Sequence, residues 1–274
     1  MADTQNRSAV LIPPAELARL EPGNLVLLDI RFRQEGGHDP RAAYLEGHLP
    51  GAVAADFVHE LTGPSEGFSG KRPLPPIERL QHDVRRWGIG RDSLVVVYDD
   101  NENRQAARAW WTLRWAGLGN VRLLDGGLDA WTGAGHRVDT AVPFPLRGDA
   151  VLTPGALPSF DADAAAGFVR DGLLVDARDA KSFAAGHIPG AINIPTSGNV
   201  DAETGAFAAG EVLKARFAEY GLDGTRPVGV YCGGGVAASH QIAALATIGI
   251  AASLFPGSWS AWSADPDRPR ETGA

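Results

Sequence analysis

Tyr44-Leu45-Glu46-Gly47-His48-Leu49-Pro50-Gly51-Ala52 returns later in the chain as Phe183-Ala184-Ala185-Gly186-His187-Ile188-Pro189-Gly190-Ala191. Upstream of each copy an apolar run ends in Asp-x-Arg, at Asp29 and Arg31 and again at Asp176 and Arg178. Downstream, the run Leu94 to Asp99 matches Pro227 to Cys232, and Leu124 to Trp131 matches Phe255 to Trp262. Four matches in one order indicate an internal duplication. The proline-bearing stretch 141–158 reads as the linker, because proline breaks both helical and strand periodicity. Two domains are therefore expected, over residues 8–140 and 159–270. Short Val/Leu/Ile runs such as Leu94 to Val97 alternate with helix-period segments at Glu211 to Tyr220 and Val236 to Ile248. Fully apolar strands of this kind belong to sheets covered on both faces. The expected class is α/β, with two mostly parallel sheets carrying helices on both sides.

Composition narrows the function. The 274 residues are 44% hydrophobic and 21% charged, which suits a folded protein with real cores. The net charge of −8 comes with no basic stripe, so no nucleic-acid partner is expected. No apolar run is long enough for a membrane span and the start is polar, so a cytoplasmic protein without a membrane partner is expected. One cysteine, Cys232, leaves no internal disulfide. Seven scattered histidines show no metal-ligand spacing, so no metal is expected.

Cys232 stands where chemistry gathers in parallel α/β sheets, just beyond the carboxyl end of a strand. Gly233, Gly234, Gly235, Val236 and Ala237 follow it and open a helix. Glycines let a loop curl until successive N–H groups point inward, and the helix start adds its unpaired donors. Such a cradle favours a thiolate, a persulfide anion or an oxyanion. A residue larger than Gly234 is expected to strike a stored sulfur. The bland alternative, a buried inert thiol, has nothing to explain the glycines. A dinucleotide site formally matches Gly233 to Ala238, but Ala251 to Ser260 lacks the acidic residue that a ribose needs. No Gly-Lys-Ser/Thr follows for a phosphate-binding loop, and no arginine ends the loop as in a cysteine phosphatase.

The paired Asp-x-Arg and Gly-His-Leu/Ile-Pro-Gly-Ala motifs, Cys232 with its glycine loop, and Gly257-Ser258-Trp259-Ser260-Ala261-Trp262 together resemble the tandem-domain rhodaneses, among them thiosulfate and 3-mercaptopyruvate sulfurtransferases. The resemblance runs from about Pro13 to Trp262. It implies a sulfurtransferase that carries sulfur as a Cys232 persulfide from a small anionic donor to cyanide or a thiol acceptor, as a monomer with no cofactor. It also implies a silent first domain, where Asp99 occupies the cysteine position, and a proton relay through His48 and Asp39. Gly234, Ala237 and Ser182 depart from the family pattern, and Ser182 replaces a donor-binding arginine, so the donor stays open between thiosulfate and 3-mercaptopyruvate. Arg178 is a candidate anion ligand. Asp176 and His187 read as structural, Arg104 as solvated, and the seven tryptophans as packing. The alternative function is a non-catalytic sulfur carrier or sensor module acting with a protein partner.

Overall fold

The computed structural model describes residues 2–32 and 39–273. Each apolar run forms a strand, and every ladder is parallel. The first sheet holds β1 (Leu11–Ile12), β2 (Leu25–Asp29), β3 (Val53–Ala54), β4 (Leu94–Tyr98) and β5 (Val121–Leu124) in the order β1-β5-β4-β2-β3. The second holds β6 (Leu173–Asp176), β7 (Ile192–Asn193), β8 (Val228–Tyr231) and β9 (Ser253–Leu254) in the order β7-β6-β8-β9. Ser159 bridges Leu254 in parallel, at the place β1 takes beside β5. The two sheets thus repeat one topology. Asp29 lies opposite Tyr98 and Asp176 opposite Tyr231, so the duplication holds to the register.

Helices α1 (Ala2–Val10), α2 (Pro14–Leu17), α3 (Pro40–Glu46), α4 (Ile77–Arg86), α5 (Arg104–Trp115) and α6 (Gly127–Gly133) accompany the first sheet. The second has α7 (Ala165–Asp171), α8 (Ala180–Ala185), α9 (Gly210–Ala218), α10 (Val236–Thr247) and α11 (Ser258–Trp262). Strand residues alternate between faces, as the period of two requires. Leu27, Val96 and Tyr98 pack with Leu49 and Trp131, while Leu28, Val95 and Val97 turn the other way. In the second sheet Leu174 and Tyr231 meet Phe255 and Trp262, while Val175 and Val230 turn inward. Both inward faces feed one core, within which α5 packs on α10. The seam between the halves is thus buried like their interiors, and it carries polar side chains, Arg108 and His240 among them, beside its apolar ones.

Residues 141–158 contain neither helix nor strand. The N-terminal segment does more than the sequence suggested. Arg7 donates to the carbonyls of Phe207 (2.7 Å) and Ala208 (2.8 Å) and pairs with Asp125 at 3.0 Å, fastening α1 across both halves. Among the described residues no helix is long and apolar enough to cross a membrane.

Candidate active site

β8 delivers Cys232 to the carboxyl edge of the second sheet, where the residue is 3% exposed. Its backbone is fixed on both sides. The Cys232 N–H donates to Ser258 Oγ at 3.2 Å, and its carbonyl accepts from the Trp259 N–H at 2.9 Å. Ser258 is buried and holds a left-handed φ of 54°, a strained conformation for a residue with a side chain. Its hydroxyl also donates to the Phe255 carbonyl at 2.8 Å, which orients the oxygen toward the Cys232 amide.

Of the five cradle residues, Gly235 touches the sulfur: its N–H donates to Cys232 Sγ at 3.1 Å. Gly235 caps α10 at φ +82°, and a Cβ there would lie 2.7 Å from Arg108 Nη1 and 2.8 Å from the Pro256 carbonyl. At Gly234 a Cβ would meet only Arg72, Lys71 and Ser260, at 3.6 to 3.9 Å, which is ordinary contact. Against the protein's own atoms the steric demand falls on Gly235, the residue that caps α10. Gly235→Ala should lower stability by about 2 kcal/mol or more, since left-handed backbone and clash act together. Gly234→Ala should melt within about 0.5 kcal/mol of wild type. Urea denaturation of the pair checks this, and equal losses would refute the assignment.

The first domain shows what the same cradle does with a charge. Asp99, wholly buried, accepts four backbone N–H groups: from Asn101, Asn103 and Gln105 at 2.8 Å and from Ala106 at 2.9 Å. Burial pushes its carboxyl up to about 6 against the pull of these donors. Glu102 and Asn103 take positive φ values of 55° and 62° to form the loop. Asn103 caps α5 as Gly235 caps α10, so Gln105 and Ala106 correspond to Ala237 and Ala238.

Beside the thiol opens a cleft of about 320 Å³, lined by Cys232, Gly233, Ala237, Arg104, Arg178 and Thr196, among others. Arg104 comes from the first domain and was expected to be solvated. It is partly exposed, in an ion pair with Glu102 at 3.0 Å, and its α5 position places it in the wall. Arg178 also lines the cleft but is largely committed. It forks onto Asp176 (2.6 to 3.0 Å), donates to the Gly186 carbonyl at 2.7 Å and stacks over Trp259 at 4.9 Å. Arg31 repeats the arrangement on Asp29 and Gly47, away from any thiol, so this fork is primarily structural. Ser182 gives the cleft no charge and instead bonds to Asp179 at the start of α8.

The proposed relay does not assemble. His48 is wholly buried, with Nδ1 2.7 Å from the Tyr44 carbonyl and Nε2 3.2 Å from that of Ala141. Asp39 caps α3, accepting from the Arg41 N–H at 2.9 Å. Neither lines the Cys232 cleft. His187 takes the same pose as His48, with Nδ1 3.0 Å from Phe183 O, so both histidines serve the Pro-Gly turn. The histidine that does reach the seam is His240 on α10, whose Nε2–H donates to the Glu102 carbonyl at 3.1 Å. Burial, aided by the nearby Arg104, pushes it down to about 3, so it is neutral.

Sequence reasoning missed Arg108 and the strand-free segment around Lys71 and Arg72. The Lys71 N–H donates to Ser260 Oγ at 2.9 Å, bringing first-domain cations against the second-domain loop. No local pattern marks these residues, because only the packing of α5 on α10 joins them to Cys232.

Comparison with known proteins agrees with this architecture. The Rhodanese-like domain family matches twice, over residues 14–134 and 161–265. SseB of Mycobacterium tuberculosis, assigned by name to the thiosulfate sulfurtransferases, is 46% identical over 97% of this chain and 98% of its own. A Pseudomonas aeruginosa protein named for 3-mercaptopyruvate sulfurtransferase activity is 40% identical over 97% and 99%. The crystal structure of SseA from Escherichia coli, a 3-mercaptopyruvate enzyme by its description, superposes with a TM-score of 0.83 at 28% identity, over 91% of this chain and 98% of that one. With both halves matched and relatives alike along their full length, the chain belongs to the rhodanese-like domain family, as a tandem-domain sulfurtransferase.

Proposed function

We propose that the protein moves a sulfane sulfur through Cys232, and that thiosulfate suits the site better than 3-mercaptopyruvate. The observation that carries this reading is the Gly235 N–H aimed at Sγ beside a cleft walled by two arginines. The Cys232 thiolate attacks the outer sulfur of thiosulfate. A bond forms between the two sulfurs, the donor's S–S bond breaks, and its electron pair leaves with sulfite. Cyanide or a thiolate then attacks the outer persulfide sulfur, and the S–S electron pair returns to Sγ. Ala237 and Ala238 are the seats for the charged outer sulfur, since their counterparts Gln105 and Ala106 hold the Asp99 carboxylate. Residues 159–270 form the catalytic domain. Residues 8–140 are silent because Asp99 fills their cradle, and 141–158 connect the two.

Donor choice follows from the proton. Sulfite leaves with its electron pair and needs no acid, whereas the enolate left by 3-mercaptopyruvate must gain a proton at carbon. Among the described residues no histidine lines the cleft, and Gly234 has no hydroxyl to offer. Arg104, the more available of the two guanidinium groups, instead offers its charge to an anionic donor. Intact-mass measurement after exposure to each donor, followed by cyanide, tests the proposal. One sulfur gained faster from thiosulfate and removed by cyanide is expected. Faster gain from 3-mercaptopyruvate would reverse the donor, and no gain from either would favour a carrier module. Arg104→Ala should raise the thiosulfate KM several-fold, roughly the effect of losing one charged hydrogen bond, with a smaller change in kcat.

A further inference from the structure

Arg108 lies on α5 of the first domain and is wholly buried. Its Nη2 donates to the Arg72 carbonyl at 3.0 Å, while Nε and Nη1 have no partner among the described residues. A buried cation in this condition is costly unless a charge compensates it. Among the described residues no carboxylate is one of the charges that act on it. The interacting charges are Cys232, which favours the cation, and Arg72, which opposes it, and burial holds the guanidinium down to about 10. The position of Nη1 is close to the sulfur loop: it would stand 2.7 Å from a Cβ on Gly235, whose N–H meets Sγ. An unused donor, Nη1, and the guanidinium charge therefore lie against the loop that holds the thiol, with Nε also unpartnered among the described residues.

We propose that Arg108 is the counter-charge for the sulfur carried on Cys232, completing from the first domain an anion hole whose other half is the Gly235 N–H. The inference rests on the reading of Cys232 as the sulfur-carrying nucleophile. Arg108 stays protonated throughout. As the new S–S bond forms and sulfite departs with the electron pair of the old one, negative charge moves from Sγ to the outer sulfur, and the guanidinium remains beside it. This gives the silent domain a part in the chemistry and a use to a buried donor, Nη1, that has no partner among the described residues.

The test is single-turnover sulfur uptake from thiosulfate, read by intact mass, in wild type, Arg108→Met and Arg108→Lys, with Cys232→Ser as blank. Met fills similar apolar volume without charge, so its melting temperature should hold or rise. Its uptake should slow by about tenfold to hundredfold, the scale of losing a preorganised anion-hole donor, in kcat rather than KM. Lys, which keeps the charge, should recover part of the rate. Uptake by Arg108→Met at the wild-type rate would overturn the inference. Equal slowing of both variants with lowered melting temperatures would also overturn it, by assigning Arg108 a propping role alone. A wild type that takes no sulfur would defeat the nucleophile reading itself, and this inference with it.

Discussion

Cys232→Ser should melt like the wild-type protein and yet take up no sulfur, with turnover lower by at least about a thousandfold, the scale seen when a nucleophile is removed. The fold has little reason to change. The hydroxyl can accept the Gly235 N–H, and the contacts that place the residue are backbone bonds to Ser258 and Trp259. The chemistry fails because a hydroxyl is a poor nucleophile toward sulfur and cannot store a persulfide. Steady-state turnover with thiosulfate and cyanide, beside a melting curve, is the measurement. Residual activity near wild type would remove Cys232 from the mechanism.

The second large effect is expected at the silent loop of the first domain. Asp99→Ala should lower stability by about 3 kcal/mol, because four N–H groups, three of them buried, lose their acceptor while the cost of burying a carboxylate is relieved. The loop it organises contains two non-glycine residues at positive φ, held there by the carboxylate. Without it Glu102 should relax and loosen its contact with His240, and the start of α5 with it. Sulfur transfer should therefore fall too, since Arg104 and Arg108 ride on that helix. Chemical denaturation provides the check, and an unchanged midpoint would show that the loop keeps its shape without an internal anion.

The duplication made most of the fold legible. Strands, their parallel order and the place of Cys232 follow from local periodicity, which a single sequence displays. α9 and α10 were expected at Glu211 to Tyr220 and Val236 to Ile248, and form at Gly210–Ala218 and Val236–Thr247. The same duplication also contained a warning about His48. A histidine repeated as His187 in a domain with its own cysteine, and in one without, belongs to the shared turn. Arg104 and Arg108 were not legible, because their relation to Cys232 exists only once two helices far apart in sequence pack together. That Gly235 rather than Gly234 is hemmed in was not legible either, because the groups it meets, Arg108 and the Pro256 carbonyl, come from distant parts of the chain.

The shared core along the α5–α10 seam also governs how a substrate can enter. Halves joined by polar rims can swing apart, but halves joined through Trp110, Ala107 and Ala243 would have to wet their interior to do so. Opening the halves would therefore expose part of this shared core to water. Donor and acceptor reach the thiol through the same cleft, so what is left of the donor has to clear it before the acceptor arrives. Severing the chain within 141–158 would leave two pieces with one oily face apiece, partners for each other or for aggregates, and neither able to close the site.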